Sequence, residues 1–431
     1  MNSTLHRAER GAVTLVVVMV LFLIMAMMAA YANRNMVFEQ RTGGNYYRSG
    51  VSLETAEAGT EWALGMLNGL DINQSCLADG PVTNRFRERY LSISATSREI
   101  VPAGMVIKPN TANKAIVADC VHSEAQGRWV CNCPTGAWTA SPAPAAAANM
   151  QPSFRVSLIS PVGNRAGNLR IESVGCTGSV VSQCEDDATS SDMALSRSVV
   201  QLDAALLSAL KVPPATPLTV KGAINLGVNG VGLHNSDPLS HGLLLLTTAA
   251  VVPNLVETRL DTLPGTPVQQ ALVLGDTGLG ASSEKMFAMF FGMSPARYLN
   301  QPAIRKVTCN GDCGPTLAAA YAIGARMVWV DGPLNIFSTT VLGADTSPML
   351  VIASGAVRVD GDLQMTGLLY VMGNTEWSNS TGAPGLLKGA LLVDGNLTIG
   401  GTVDILYQPN VMDELKNRTG SFVRVQGSWW N

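Results

Sequence analysis

The sequence is poor in charged residues. Of its 431 residues only 14% are Asp, Glu, Lys or Arg, and the formal net charge is −3. A chain without a basic surplus lacks the electrostatic footprint of a nucleic-acid-binding protein. We therefore expect no nucleic-acid partner.

The patterns of the common enzyme classes are also missing. No G-x-S-x-G, P-loop or dinucleotide fingerprint occurs, and the histidines are too few and scattered for a triad or a metal dyad. We predict no enzyme activity, no catalytic residue, no cofactor and no metal. One alternative from another class stays open: a membrane-anchored periplasmic or surface enzyme, whose β domain places two carboxylates across a polysaccharide groove. The histidines are His6, His122, His234 and His241.

Apolar and small residues dominate instead. The chain is 47% hydrophobic and contains 42 glycines and 22 prolines, which is typical of a β-rich exported protein. Its length allows two folded domains beyond an N-terminal segment.

One apolar segment stands near the N-terminus. Ala12 to Ala32 contains no charged residue, and about 20 apolar residues suffice to cross a bilayer as a helix. Arg7 and Arg10 precede it, and basic residues hold that end in the cytoplasm. The sequence therefore predicts membrane attachment, with everything after Arg34 on the outer side.

Three interpretations of this segment compete. It could be a plain single-pass anchor. It could be a secretory signal peptide cut at Ala30-Tyr31-Ala32, although the apolar run exceeds the roughly 7–15 residues of a secretory core. It could also follow a leader cut after Gly11, which would leave Ala12 as a new N-terminal amine on an intact helix.

About 60 residues beginning at Arg10 favour the third interpretation. This region resembles the N-terminus of PilX-type minor pilins of type IV pili in Arg10-Gly11, in Gly43-Gly44-Asn45 and in Glu54 to Gly59. Weaker similarity extends to about residue 210. The resemblance implies a long helix laid on a small antiparallel sheet.

The resemblance also implies a function. The chain would be a minor pilin, cut by prepilin peptidase between Gly11 and Ala12 and subject to methylation. It would sit in the inner membrane with its C-terminus in the periplasm, then join the major pilin and other minor pilins. It would prime assembly of a pilus and stay at or near its tip, with its large C-terminal domain acting in adhesion or in docking a partner such as a tip adhesin. The membrane helix would include Ala12, Val16, Ala26 and Ala32, its small residues allowing close helix packing.

Val16 departs from the pattern of main pilins. Those carry a glutamate at the fifth mature position, where it is understood to meet the N-terminal amine of a neighbour. The large minor subunit that caps the type II secretion pseudopilus is similar in lacking this acid. A type II secretion pseudopilin therefore remains an alternative.

Beyond the apolar segment the helix is expected to continue until Gly43-Gly44 interrupts it. After this break, an apolar stripe at helical spacing predicts packing against a sheet. Alternation predicts strands at 154–159, 168–174 and 198–202. The stripe is Leu53, Ala56, Thr60, Ala63 and Leu67.

All eight cysteines lie beyond the membrane segment, which favours disulfides. Zinc is the alternative for Cys131 and Cys133, although the spacing is unusual for a zinc site. Two pairs are close enough in sequence to close small loops: Cys176 with Cys184, and Cys309 with Cys313. The acidic segment 185–192 is either a calcium loop or a solvated turn.

A short phrase recurs in the C-terminal half, in which an apolar residue, a Gly-containing turn and another apolar residue follow each other. It reads either as stacked β-hairpins or as solenoid-like coils. The copies are Val220–Ile224, Val330–Leu334, Val359–Leu363 and Val393–Leu397.

The sequence thus predicts an α+β protein with a mostly-β C-terminal domain. Segment 284–299, rich in Met and Phe, is expected in the core. The predicted divisions are a leader at 1–11, a helix at 12–69, a pilin-like β domain at 70–210, a linker at 211–217 and the C-terminal domain at 218–431.

Overall fold

The structure, a computed structural model, describes residues 9–80, 82, 84–103, 114–135, 150–161, 166–179, 195–379, 382 and 384–430. Three predictions concern residues outside these ranges: most of the leader, the acidic segment 185–192 and Cys184. Within the described ranges, the protein has a long N-terminal apolar helix and a large, mostly-β C-terminal region, consistent with the α+β class.

Helix α1 (Glu9–Leu67) is continuous over 59 residues, or roughly 90 Å at 1.5 Å per residue. The predicted interruption at Gly43-Gly44 was wrong. Each glycine costs a helix about 1 kcal/mol, and both lie in a helix long enough to carry that cost. No atom lies within 4 Å of a Cβ position at either glycine, so no tertiary contact bends the helix there.

Short strands and one short helix follow α1. They are β1 (Asp71–Ile72), β2 (Asn84–Arg85), α2 (Phe86–Tyr90), β3 (Leu91–Ile93), β4 (Ile100–Pro102), β5 (Lys114–Ser123), β6 (Arg128–Asn132), β7 (Ser153–Ile159), β8 (Asn168–Cys176) and β9 (Arg197–Ser208).

The C-terminal region has many short strands. They are β10 (Leu218–Val220), β11 (Ile224–Leu226), β12 (Gly232–His234), β13 (Leu245–Thr247), β14 (Leu260–Asp261), β15 (Leu272–Val273), β16 (Ile304–Val307), β17 (Met327–Val330), β18 (Leu334–Ile336), β19 (Thr340–Leu342), β20 (Met349–Ala353), β21 (Val357–Val359), β22 (Leu363–Val371), β23 (Thr375–Trp377), β24 (Gly385–Val393), β25 (Leu397–Ile399), β26 (Val403–Leu406) and β27 (Gly420–Arg424). Its helices are α3 (Ser283–Phe291), α4 (Pro295–Tyr298), α5 (Gly314–Ala322) and α6 (Pro409–Asp413), with 3-10 turns at Pro238–Ser240, Glu257–Arg259 and Val268–Ala271 and a π turn at Glu414–Arg418.

An antiparallel sheet carries the second half of α1. Its described strands run in the order β27-β9-β8-β7-β5-β6. The strands predicted at 154–159, 168–174 and 198–202 lie within β7, β8 and β9, so these predictions are confirmed. Strand β8 pairs antiparallel with both β7 and β9: Ile171 lies opposite Leu158 on β7 and opposite Leu202 on β9.

Strand β27 returns from the far end of the chain to the edge of this sheet. Phe422 pairs with Leu206 and is fully buried in the core beneath α1. Asn68, just after α1, holds both backbone groups of Phe422: its Nδ2 donates to the carbonyl oxygen and its Oδ1 accepts from the amide, each at 2.8 Å. The predicted C-terminal domain at 218–431 therefore does not include β27, which belongs to the first sheet.

The remaining C-terminal strands stack as coils with three faces. The pairs among β10 to β26 are parallel, for example β20 with β22 and β23 with β25. Strand β22 serves two faces, because its first residues pair with β19 and those from Gly367 onward pair with β20. We call this body the coil stack.

The recurring phrases are corners of these coils. Val330–Leu334 joins β17 to β18, and Val393–Leu397 joins β24 to β25. Because the described strands β10 to β26 pair in parallel, the hairpin interpretation was wrong. The corners are crowded, since a Cβ atom on Gly395 would lie 2.5 Å from the carbonyl oxygen of Gly373. Glycine is required there because backbone meets backbone.

The coils do not stack in chain order. The last full coil, β24 to β26, pairs with the first, β10 to β12, so that Leu391 lies beside Leu218. From β10 the chain builds outward through β13 to β15, then crosses to β16 at the opposite end and returns coil by coil. The first and last coils are therefore neighbours in the interior of the stack, rather than lying at its two ends.

Helices α3 and α4 lie in the segment that crosses from β15 to β16, and they pack against the outer side of the stack. Phe287 and Phe291 stack with ring centroids 4.3 Å apart and contact Tyr370 on the outer side of β22. The Met and Phe residues of α3 predicted as core are largely buried, among them Met286 and Phe290. Strands such as β17 and β20 are buried on both sides, which explains their unbroken apolar sequences.

The segment predicted as a linker is held in place. The amides of Lys211 and Val212 both donate to the carbonyl oxygen of Phe290, at 2.8 and 3.0 Å. Thr216 is buried. These contacts fix the connection between sheet and coil stack.

Candidate membrane and assembly helix

The first half of α1 is exposed along its length. From Val13 to Tyr47 every residue is exposed, and 14 of the side chains between Val13 and Met28 are large and hydrophobic. Burying such a side chain stabilises by about 1.5–3 kcal/mol, so this surface represents on the order of 20–40 kcal/mol. The segment needs a lipid or protein environment.

This half is also long and apolar enough to cross a membrane, by length and composition. No Asp, Glu, Lys or Arg lies between Arg10 and Arg34. The predicted membrane positions Val16, Ala26 and Ala32 all lie on this exposed part of the helix. Gly11 and Ala12 have helical backbones.

The second half of α1 packs on the sheet. Ala56, Thr60, Ala63 and Leu67 of the predicted stripe are buried, while Glu54, Glu57 and Glu61 point to solvent. Among the residues of the stripe, Leu53 alone is half-buried. The predicted amphipathic stripe is thus confirmed.

Two glycines set how closely α1 approaches the sheet. A Cβ atom on Gly59 would come within 2.1 Å of the Ser173 Oγ and 2.9 Å of the Phe154 ring. On the sheet side, a Cβ atom on Gly175 would come within 2.2 Å of the Ser52 carbonyl oxygen. The helix and β8 are therefore in backbone contact.

A polar contact marks where packing begins. Ser52 is fully buried, and its Oγ lies 2.8 Å from the Oγ of Ser198 on β9 and 3.2 Å from that of Ser196. Buried hydroxyls cost free energy unless they are hydrogen-bonded. This pairing therefore favours one rotation of α1 against the sheet.

Because α1 is continuous, the exposed and the packed halves form one rod. The sheet, β27 and the coil stack are attached to its second half. The arrangement can hold a folded body at a membrane, and the free half can pack against similar helices from other subunits.

Disulfides account for most of the cysteines. The bonds are Cys76–Cys133, Cys120–Cys131 and Cys309–Cys313. Cys131 and Cys133 thus belong to two different disulfides rather than to a zinc site. Cys176 is also disulfide-bonded, and its proposed partner Cys184 lies outside the described residues. Among the described residues no group of His, Cys, Asp and Glu is arranged to hold a metal ion.

One histidine stands among carboxylates on the coil stack. The Nδ1 of His234 lies 3.7 Å from Asp261 Oδ2, and its Nε2 lies 3.5 Å from Asp404 Oδ1. Arg259 contacts Asp404 at 2.7 Å. The sequence did not suggest this group, because His234, Asp261 and Asp404 lie on three strands that are separated in the chain, and Arg259 lies in a 3-10 turn.

A comparison of the chain with protein-family models, curated proteins and solved structures found no match.

Proposed function

We propose that this chain is a minor pilin that primes assembly of a type IV pilus and remains at or near its tip. The observation that carries the proposal is the division of α1: an exposed apolar half continuous with a half packed on an antiparallel sheet. A plain membrane anchor would need only the exposed apolar half of α1. A rigid continuation into the folded body is what helix-by-helix assembly requires, because it transmits the position of each membrane helix to the body it carries.

The tip position has two supports. Val16 occupies the position where main pilins carry a pairing carboxylate, so no such pairing is available to this chain. The coil stack also adds nearly 190 residues to each subunit, which is bulky for a repeated filament subunit. We propose that the stack docks a tip-associated partner or contacts surfaces.

The test is the mature N-terminus, measured by intact mass on protein from its own membrane. A chain beginning at Ala12 supports the proposal, provided that Gly11→Val remains uncut. Gly44→Val is the matched control, because that glycine lies in the same helix with no atom within 4 Å of its Cβ position. The control should be processed normally.

Any other mature N-terminus would overturn the proposal. A mature chain beginning at Asn33 would mean a secreted protein that leaves its helix behind. An uncut Met1 would mean a plain membrane anchor. A type II secretion pseudopilin would pass the mass test, and it is distinguished by deletion: protein secretion would fail while surface pili persist.

Within the part of the chain that the structure describes, the group around His234 is the observation that favours an enzyme. Glycoside hydrolysis uses two carboxyl groups facing one bond, and Asp261 and Asp404 flank His234 on neighbouring strands. Asp404 is already paired with Arg259, and Asp261 is 82% exposed. Release of reducing ends from a polysaccharide by wild type but not by Asp404→Asn would make this the better assignment.

A further inference from the structure

A small cavity lies where the first sheet region meets the coil stack. Its volume is about 80 Å³, and a bound water needs about 10–15 Å³, so it has room for several waters. Its walls come from β2, α2 and β3, from Arg326 just before β17, from the 346–348 loop just before β20, and from the turn after α6. Its charged lining residues are Arg85, Arg87, Glu88, Arg326, Glu414 and Arg418. We call this cavity the arginine pocket.

The two glutamates of the pocket are already paired. Glu88 forms an ion pair with Arg85, and Glu414 forms one with Arg418 at 2.7 Å. Asp71 and Arg89 interact with the same group of charges. With these and with Asp413, which interacts with Glu414, the neighbourhood holds five arginines and four carboxylates, so positive charge remains in excess.

The hydrogen bonds of the Arg87 guanidinium go to neutral acceptors. Its Nε donates to the Leu67 carbonyl oxygen at 2.7 Å and its Nη1 to that of Gly420 at 2.8 Å. The side chain is buried. Burial first, and then the charge of Arg85, lower the pKa of Arg87. Its positive charge is therefore poorly compensated.

Arg326 enters the pocket from the coil stack. Its Nη1 donates to the Tyr321 carbonyl oxygen at 2.9 Å, and its guanidinium lies over the Tyr321 ring at 4.3 Å. Its Nε is buried without a hydrogen-bond partner in the described structure. Burial, followed by repulsion from Arg85, lowers the pKa of Arg326. A buried donor without a partner costs about 1–3 kcal/mol, and an acceptor in the pocket would offset that cost.

We propose that the arginine pocket binds a small oxyanion, phosphate or a carboxylate group, which bridges the first sheet region and the coil stack. Guanidinium groups present planar pairs of donors that match the oxygens of both anions. Thr346 adds a hydroxyl to the lining. The ion would place negative charge between the two regions and so hold them together. The proposal is independent of whether the chain is a pilin.

The test is thermal unfolding of the full chain in detergent, with sodium phosphate added at constant ionic strength. Wild type should show a saturable rise of the midpoint by about 2–4 °C, since a ligand that binds only the folded state stabilises it. Arg326→Gln should lose most of that rise. If acetate produces the rise and phosphate does not, the bound group is a carboxylate, which also supports the proposal.

Two further variants keep the test decisive if Arg326→Gln fails to fold. Arg418→Gln removes a side chain that is 39% exposed and paired with a pocket glutamate, so it should fold and show a smaller rise. Arg358→Gln is the matched control, because Arg358 is 54% exposed, is ion-paired at 2.8 Å and lies outside the pocket. A rise that is absent from wild type with both anions, or equal in Arg418→Gln and Arg358→Gln, would overturn the proposal.

Discussion

Gly175 of β8 faces Ser52 of α1 so closely that a Cβ atom on the glycine would lie 2.2 Å from the serine carbonyl oxygen. Backbone therefore meets backbone where the helix lands on the sheet. Gly175→Ala must push α1 away or distort β8. Forcing extra methylenes into a packed core costs about 1–3 kcal/mol, and we expect the upper part of that range.

Urea unfolding of the full chain in detergent measures this cost. Gly65→Ala is the control, because Gly65 lies on α1 itself, with no atom within 4 Å of a Cβ position. That change should be neutral or stabilise by up to about 1 kcal/mol. Equal stability of the two variants would mean that α1 does not rest against β8 in this way.

Removing the coil stack without removing β27 should leave the first sheet folded. Tyr407 Oη donates to the Pro214 carbonyl oxygen at 2.8 Å, so a short Gly-Ser linker can replace residues 218–406. We expect the excised chain to resist proteolysis and to insert in the membrane, but to lose capture of a tip partner or surface. Unchanged adhesion would contradict a binding role for the stack.

Truncation after Pro217 is the informative contrast. It removes β27 and with it Phe422, which fills the core under α1. Loss of a buried phenylalanine costs about 3–5 kcal/mol. The truncated chain should therefore be digested faster than the excised chain, and equal protease resistance would show that β27 contributes little.

The disulfides should differ in their contribution to stability. Cys76–Cys133 spans 57 residues and Cys309–Cys313 only 4. In the loop-entropy model a longer closed loop stabilises more, by about 4 kcal/mol for the first bond and about 2 kcal/mol for the second. Unfolding midpoints of the two double Cys→Ser variants test this order, and the reverse order would show that local contacts outweigh chain entropy.

Asp71 predicts a pH dependence. Burial first, and the charge of Glu88 second, raise its pKa above the usual 3.8, so the folded state binds this proton more tightly than the unfolded state. That stabilising contribution is full below pH 3.8 and is lost as pH rises through the raised pKa. At neutral pH the charge on this half-buried carboxylate is therefore unfavourable.

Asp71→Asn should then be more stable than wild type at neutral pH, by on the order of 1 kcal/mol, and the difference should shrink on acidification. Unfolding midpoints across the pH range measure it. Asp345→Asn, at an exposed position, is the control and should show no such trend. A difference that stays constant with pH would exclude titration of Asp71 as the cause.

Prediction from the sequence succeeded where neighbours in the chain decide the structure. The stripe from Ala56 to Leu67 reports which side of α1 is buried, and the structure agrees. The alternation located strands β7 and β8 but not their burial, because β7 and most of β8 are buried on both sides. The prediction failed at Gly43-Gly44, because a local helix penalty was given more weight than the length of the helix. It also missed the arginine pocket, although the dense charges around Arg85 to Arg89 were a signal.

The sequence by itself determined that a long uncharged apolar segment precedes an amphipathic helix, short strands and Gly-containing turns, because composition and periodicity are local properties. Only the tertiary structure decided which strands meet. Leu391 pairs with Leu218, and Phe422 with Leu206, although many apolar strands of this chain would fit either position. Which strands pair depends on how the first and last coils fit together and on filling one core under α1. Both are properties of the whole chain.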